Sequence, residues 1–226
     1  MTSAIITAAG NGTRFGRNKM IAELDGETVL IKTVRQFSSS KFIDEIIICA
    51  KKHDFGIYRE LLKKAGLAAL LVEGGEERVV SAYNGVLKAK GDYIVVHDGV
   101  RPFVPVVIID KVCEEVKKYN AVMTAVPPTA TIKYATDSMI EKSFPRAVTW
   151  VAQTPQAFRR DIILKAYKNA IDNKYLIATD DSDLVMSIGE KVRIIEGDPV
   201  NVKITFPVDL VMAQGLMRYM EEGKRV

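Results

Sequence analysis

Cysteine is scarce in this chain. Its two copies in 226 residues, Cys49 and Cys113, stand far apart, with no CxxC spacing and no histidine at ligand distance. That argues against a disulfide framework and a thiolate metal site, and leaves two reduced, buried thiols as the expectation. Blocks of five or six like charges are absent too, and the formal charge of +4 is modest for the length, so nothing resembles a nucleic-acid-binding tail. No apolar run approaches the ~18 residues of a membrane-spanning helix, and no charged-then-apolar leader precedes the first apolar segment, so the expected location is cytoplasmic. Ser-His and Cys-His constellations are missing, and His97 reads as an oriented core residue rather than a catalyst. With 48% hydrophobic residues and no repeat, linker or low-complexity tract, residues 1–226 read as one domain with one substantial core.

What the chain does have is a glycine loop after its first apolar run. Ser3 to Thr7 shows no polar alternation, as a strand buried on both faces should, and AAGNGTRFGRNK follows from Ala8 to Lys19. Gly10, Gly12 and Gly16 are expected to free the backbone for positive φ and to bring successive N–H groups toward an anion. Arg14 and Lys19 add two cations, so the loop suits a polyphosphate. The Gly-Lys-Ser/Thr phosphate loop is absent, and the dinucleotide fingerprint fails at Phe15, where it needs a third glycine.

Downstream, strands are expected at 45–50, 67–72, 92–97, 121–126, 151–158, 191–196 and 201–205. Helices are expected at 28–37, 55–65, 78–89, 106–119, 161–172, 180–188 and 207–220, from apolar spacing, caps and breakers. This alternation predicts an α/β fold with a mainly parallel sheet and helices on both faces. In such a sheet ligands sit beyond the carboxyl ends of the strands. The Gly74-Gly75-Glu76-Glu77-Arg78 loop and the Asp98-Gly99-Val100-Arg101 turn should therefore gather beside the first glycine loop. Asp98 is a carboxylate suited to Mg²⁺ shared with substrate phosphates. Residues 129–150 differ in kind: short β-prone pieces flank Asp137-Ser138, as in a projecting hairpin too small to be stable alone, which is expected to pack on a second subunit.

Seven segments occurring in order, AAGNGTR, GGEER with Ser81, VVHDGVRPF, Thr131-Ile132-Lys133, AQTPQAF, Ala178-Thr179-Asp180-Asp181 and EGDPVNVKIT with Pro207 and Asp209-Leu210, resemble the 2-C-methyl-D-erythritol 4-phosphate cytidylyltransferase family over essentially the whole chain. The resemblance implies a Rossmann-like nucleotidyltransferase (GT-A-like) fold with a β-hairpin dimerisation arm at about 129–150. The implied reaction is transfer of CMP from CTP to methylerythritol 4-phosphate, with Mg²⁺ as cofactor and neither nucleic acid nor membrane as partner. By position, Arg14, Lys19 and Lys203 match the catalytic cations. Ala8, Ala9, Gly10, Gly12, Gly75, Glu76, Ser81 and Asp98 match nucleotide-binding positions, with Asp98 also the metal position. Arg101 and Thr179 match contacts to the second substrate, and Thr131 and Arg146 match arm residues that reach the neighbouring subunit's site, which makes a homodimer the expected assembly. The chain departs from the family at Asn18-Lys19-Met20, where the family has Pro-Lys-Gln after a longer spacing from the arginine. The alternatives are a ribitol-5-phosphate cytidylyltransferase, a dinucleotide-binding oxidoreductase and a non-catalytic nucleotide-binding subunit.

Overall fold

Strand β1 (Thr2–Thr7) sends alternate side chains into two cores. Ala4 and Ile6 enter one, with Ile46, Ile48 and Ala50, and Ile5 enters the other, with Ile47 and Cys49. A strand can do this only if both faces of the sheet are covered, which is why its sequence shows no polar alternation. The architecture comes from a computed structural model that describes residues 1–10, 15–16, 18–178 and 180–221.

After β1 come a small hairpin, β2 (Glu23–Leu24) and β3 (Glu27–Thr28), then α1 (Val29–Ser38), β4 (Glu45–Ala50), α2 (Phe55–Ala65), β5 (Leu70–Glu73), α3 (Arg78–Lys88) and β6 (Tyr93–Asp98). The second half holds α4 (Val106–Tyr119), β7 (Ala121–Val126), the arm strands β8 (Lys133–Thr136) and β9 (Met139–Ser143), β10 (Val151–Arg159), α5 (Arg160–Asp172), α6 (Asp181–Ser187), β11 (Arg193–Glu196) and α7 (Pro207–Glu221). Seven strands form one sheet in the order β11-β7-β10-β6-β1-β4-β5. All pairs are parallel except those of β10, which runs antiparallel to both β6 and β7. Buried residues of α1, α2 and α4 fill the core on one face, and those of α3, α5 and α6 fill the core on the other. The expected α/β class with helices on both faces is therefore what the chain forms.

Local signals set most element ends. Thr28 caps α1, its Oγ1 accepting from the Ile31 amide at 3.4 Å. Gly66 closes α2 in the left-handed region with φ of 67°. The arm turn uses Asp137 and Ser138 at φ of 49° and 65°, two positive values in succession, as a two-residue hairpin turn requires. Gly16 is left-handed as expected, with φ of 78°, whereas Gly10 is not among the positive-φ glycines. The expected strand at 201–205 does not form. Ile204 donates to the Val100 carbonyl at 2.9 Å, but Asn201 and Val202 turn back to Asp198 and Val200, so this segment makes a turn and one tie rather than a ladder.

Candidate active site

The chain builds β1, β4 and β5 outward in one direction and then returns to place β6 on the other side of β1. The reversal opens a crevice at the carboxyl ends of β1 and β6, where α/β sheets bind ligands. Asp98 is the last residue of β6 and stands in that crevice. A cavity of about 220 Å³ lies there, lined among others by Thr7, Gly10, Lys19, Arg78, Asp98 and Lys203. A second, polar cavity of about 510 Å³ adjoins it and is lined by Ala9, Gly74, Gly75 and Glu76. The two share Ala9 and Glu76, so the first glycine loop and the 74–78 loop meet, as expected.

Three cations converge on Asp98. Lys203 Nζ lies 2.9 Å from Oδ2, Arg101 Nε 3.5 Å from the same oxygen and Arg78 Nε 3.4 Å from Oδ1. Burial works to raise the Asp98 carboxyl, but the summed charges of Arg78, Lys203 and Arg101 hold it well below the usual carboxylate range. Arg78 also answers Asp181, and Glu76 and Glu77 line the same cavity, so the positive groups are balanced in number but gathered on one side around Asp98, where an incoming polyphosphate can meet them. Arg101 is further fixed by its Nη1 donating to the Asn201 carbonyl at 2.8 Å, so the turn after Asp198 holds both Arg101 and Lys203 in place.

Behind this cluster Arg78 also grips Asp181. Its two terminal nitrogens donate to the two carboxylate oxygens at 2.7 Å each, and the Tyr167 hydroxyl donates to Oδ1 at 2.8 Å. His97 is fully buried, with Nε2 3.1 Å from the Arg101 carbonyl and Nδ1 3.0 Å from the Thr154 hydroxyl. Burial pushes its pKa down to about 3, so it is neutral and orients the Asp98–Arg101 turn, in line with the structural role expected for it. Cys49 and Cys113 are buried free thiols, both pushed up to about 12 by burial.

The nucleotide-binding candidates pack tightly. A Cβ on Gly74 would come within 2.5 Å of the Ala9 Cβ and 2.9 Å of the Ser81 Oγ, so only glycine lets this loop close on the first. The Ser81 hydroxyl lies 3.1 and 3.0 Å from the carbonyls of Gly75 and Glu77, tying the 74–78 loop to α3. Ala8 and Ala9 are buried, with the Ala8 amide donating to the Cys49 carbonyl at 2.8 Å.

The crevice thus brings together Ala9, Gly10, Lys19, Glu76, Ser81, Asp98 and Lys203, with Arg101 bound to Asp98. Thr131 and Arg146 stand on the arm, 3.5 Å apart between Oγ1 and Nη2, and among the described residues their side chains bond to each other rather than to the crevice. Gly12, Arg14 and Thr179 lie outside the described residues. Arg78, Asp181 and Tyr167 were not singled out from sequence, although GGEER and Ala178-Thr179-Asp180-Asp181 contain the first two. Their spacing of 103 residues leaves no local trace, and the only sequence signal was that both sit in segments of the family pattern.

As for a metal, no group of three or more His, Cys, Asp or Glu among the described residues could form a cage. Glu76 and Glu77 also line the crevice, and the carboxylate expected to meet the metal, Asp98, already faces three cations. A carboxylate so placed fits a hard cation that arrives on phosphate oxygens, not a preformed metal centre.

The comparisons agree with the geometry. The family model described as 2-C-methyl-D-erythritol 4-phosphate cytidylyltransferase matches residues 2–219. Among curated relatives, the enzyme of that name from Geobacillus kaustophilus is 38% identical over 219 residues, covering 95% of this chain and 96% of the relative. The one from Clostridioides difficile is 37% identical over 232 residues, covering 100% and 97%. The crystal structure of 4-diphosphocytidyl-2C-methyl-D-erythritol synthase from Anaerococcus prevotii superposes with a TM-score of 0.87 at 32% identity, covering 96% of each chain. With a family model matched over nearly the whole length and relatives well above 30% identity, the chain belongs to the 2-C-methyl-D-erythritol 4-phosphate cytidylyltransferase family.

Proposed function

We propose that this protein transfers CMP from CTP to 2-C-methyl-D-erythritol 4-phosphate, giving 4-diphosphocytidyl-2-C-methyl-D-erythritol and pyrophosphate. The observation that carries the reading is the convergence of Lys203, Arg101 and Arg78 on Asp98, in a crevice that also contains Lys19 and the 74–78 loop. A phosphate oxygen of the polyol phosphate attacks the α-phosphorus of CTP, a new P–O bond forms, and the bond to the β-phosphate breaks to release pyrophosphate. The substrate is its own nucleophile, so no activated serine or cysteine is needed. The protein's task is to bring two polyanions together and to stabilise the charge that builds on the α-phosphate. Lys19, Lys203 and Arg14 take that second role. Ala8, Ala9, Gly10, Gly12, Gly75, Glu76 and Ser81 hold the nucleotide, with the fixed carbonyls and amides of the 74–78 loop reading the base edge.

Arg101 and Thr179 hold the acceptor phosphate and its polyol, and the Thr131–Arg146 pair of a partner's arm completes the site, making the working unit a homodimer. Mg²⁺, held by the triphosphate and met by Asp98, would supply charge neutralisation when bound. A pyrophosphate-release panel tests the reading: CTP with methylerythritol 4-phosphate should release pyrophosphate rapidly, whereas either substrate alone should not. Faster release with ribitol 5-phosphate would assign the chain to the other polyol, and no release with any acceptor would leave a nucleotide-binding protein without transferase activity.

A further inference from the structure

We propose that Asn18 is a positioning residue for this transfer, fixing the backbone that carries Lys19 by tying it to the head of α2. The inference rests on the reading of Lys19 as a group that acts on the triphosphate. Lys19 opens a helical turn of three residues, Lys19–Ile21, and a 3₁₀ segment that short has little stability of its own. Asn18 supplies what it lacks. Its Oδ1 accepts from the Met20 amide at 3.0 Å, and its Nδ2 donates to Asp54 Oδ1 and to the Tyr58 hydroxyl, each at 3.2 Å. The anchor at the far end is firm. Tyr58 is fully buried in the core under α2, where burial pushes its hydroxyl up to about 12, so it stays protonated and can serve the contact at any working pH.

Asp54 carries a second, independent sign. It ends a 3₁₀ turn, Lys52–Asp54, that runs directly into α2 with helical φ and ψ of −85° and −9°, so its side chain is not committed to capping the helix. The carboxylate is turned instead toward Asn18, with only 16% of its side chain exposed and His53 Nε2 3.7 Å away. Lysine's long side chain gives it reach, but its ammonium can meet a developing charge only if its Cα is held, and misplacement by about 1 Å can cost ~10² in rate.

The test is a double-mutant cycle on the full-length chain in the CTP and methylerythritol 4-phosphate assay, with melting temperatures recorded for every variant. Asn18→Ala should lower kcat about tenfold while KM for CTP moves less than about twofold. In a Lys19→Ala background the same change should have little further effect, because the residue acts through the lysine. A loss caused by general loosening of the fold would instead multiply with that of Lys19→Ala, and this outcome overturns the proposal. Asn18→Asp sets two carboxylates against each other and should be slow. Combining it with Asp54→Asn restores one amide and one carboxylate across the contact and leaves an acceptor for Met20, so the double variant should recover most of the wild-type kcat. That swap keeps the test open if Asn18→Ala fails to fold, and a swap variant that melts like wild type but stays as slow as Asn18→Asp also overturns the proposal. If Lys19→Ala alone keeps the wild-type rate, the reading of the lysine is at fault, and there is nothing for Asn18 to position.

Discussion

Arg78 and Asp181 form a two-pronged ion pair at 2.7 Å on both prongs, joining the start of α3 to the start of α6. Asp181 has no exposed side-chain surface and takes a third bond from Tyr167. Removing one partner of a buried pair strands the other charge, which typically costs about 3–5 kcal/mol. Arg78→Ala, which leaves the unexposed Asp181 carboxylate with the Tyr167 hydroxyl, should therefore shift the urea midpoint strongly, whereas Asp181→Ala leaves Arg78 its contact with Asp98 and should shift it less. Arg78→Met with Asp181→Leu, which removes both charges, should be less damaging to stability than Arg78→Ala alone, and a double change as costly as the sum of the single changes would show the pair is not acting as a unit.

Loss of one of the proposed catalytic cations should appear mainly in turnover. Arg14→Ala and Lys203→Ala are each expected to reduce kcat by ~10²–10³ with a much smaller rise in KM for CTP, the signature of charge met only in the transition state. Steady-state kinetics with both substrates varied separates the two parameters. A variant whose only change is a higher KM would place that cation in ground-state binding.

Divalent metal should bind with the nucleotide and not before it. With no cluster of three possible ligands among the described residues, and with Asp98 already facing Lys203, Arg101 and Arg78, Mg²⁺ should show no measurable uptake by the nucleotide-free protein in equilibrium dialysis. Adding CTP should produce uptake, and chelator should abolish activity until excess Mg²⁺ is returned. Stoichiometric binding without CTP would count against this account.

The arm should serve the partner's site. Met139 and Val148 are 72% and 74% exposed in the single chain, and a two-stranded hairpin is marginal in water without something to pack on. Mixing inactive Arg146→Ala and Lys19→Ala subunits should restore part of the activity, since a mixed dimer holds one site with both residues intact. Proven subunit exchange that leaves the mixture inactive would put Arg146 in its own subunit's site.

His97 should make the fold sensitive to mild acid. Its ordinary value of 6.5 is lowered to about 3 by burial. Between those values the unfolded chain binds a proton that the folded chain refuses, and stability must fall as pH falls, by at most roughly 1.4 kcal/mol per pH unit for one proton. The Asp98 carboxyl is depressed in the folded state, so its contribution is present above its unfolded value of about 3.9 and is lost only below that. Urea midpoints measured in metal-free buffer between about pH 6.5 and 5 isolate the histidine. His97→Gln should flatten the dependence in that window, and an unchanged slope would assign the effect elsewhere.

How legible this was in the sequence depended on distance along the chain. Segments such as EIIICA at 45–50 announce strands covered on both faces, because no polar residue interrupts them, and the structure forms β4 over the same residues. The arm could be read from Asp137-Ser138, since a tight turn leaves its mark on two neighbours. The β2–β3 hairpin could not, because two-residue strands are too short to show a period. Residues 201–205 alternate like a strand, yet a single tie to Val100 is all the sheet gives them. Asn18 reads from sequence as an ordinary loop residue, and its importance depends on Asp54 and Tyr58, 36 and 40 positions away. The glycine loops and Asp98 were legible because loop chemistry is local, whereas Arg78's second partner depended on how α3 and α6 meet.

The arm leaves the sheet at Val126 and comes back at Val151, and these two residues are register partners on adjacent antiparallel strands. Its entrance and exit are therefore a single joint. Everything between them can be lengthened, shortened or exchanged without moving β6, β1 or the crevice at their ends. Such a joint separates two problems that a binding protein usually has to solve together: the sheet can keep one nucleotide-holding geometry while the detachable cassette is revised for a different acceptor or a different way of assembling.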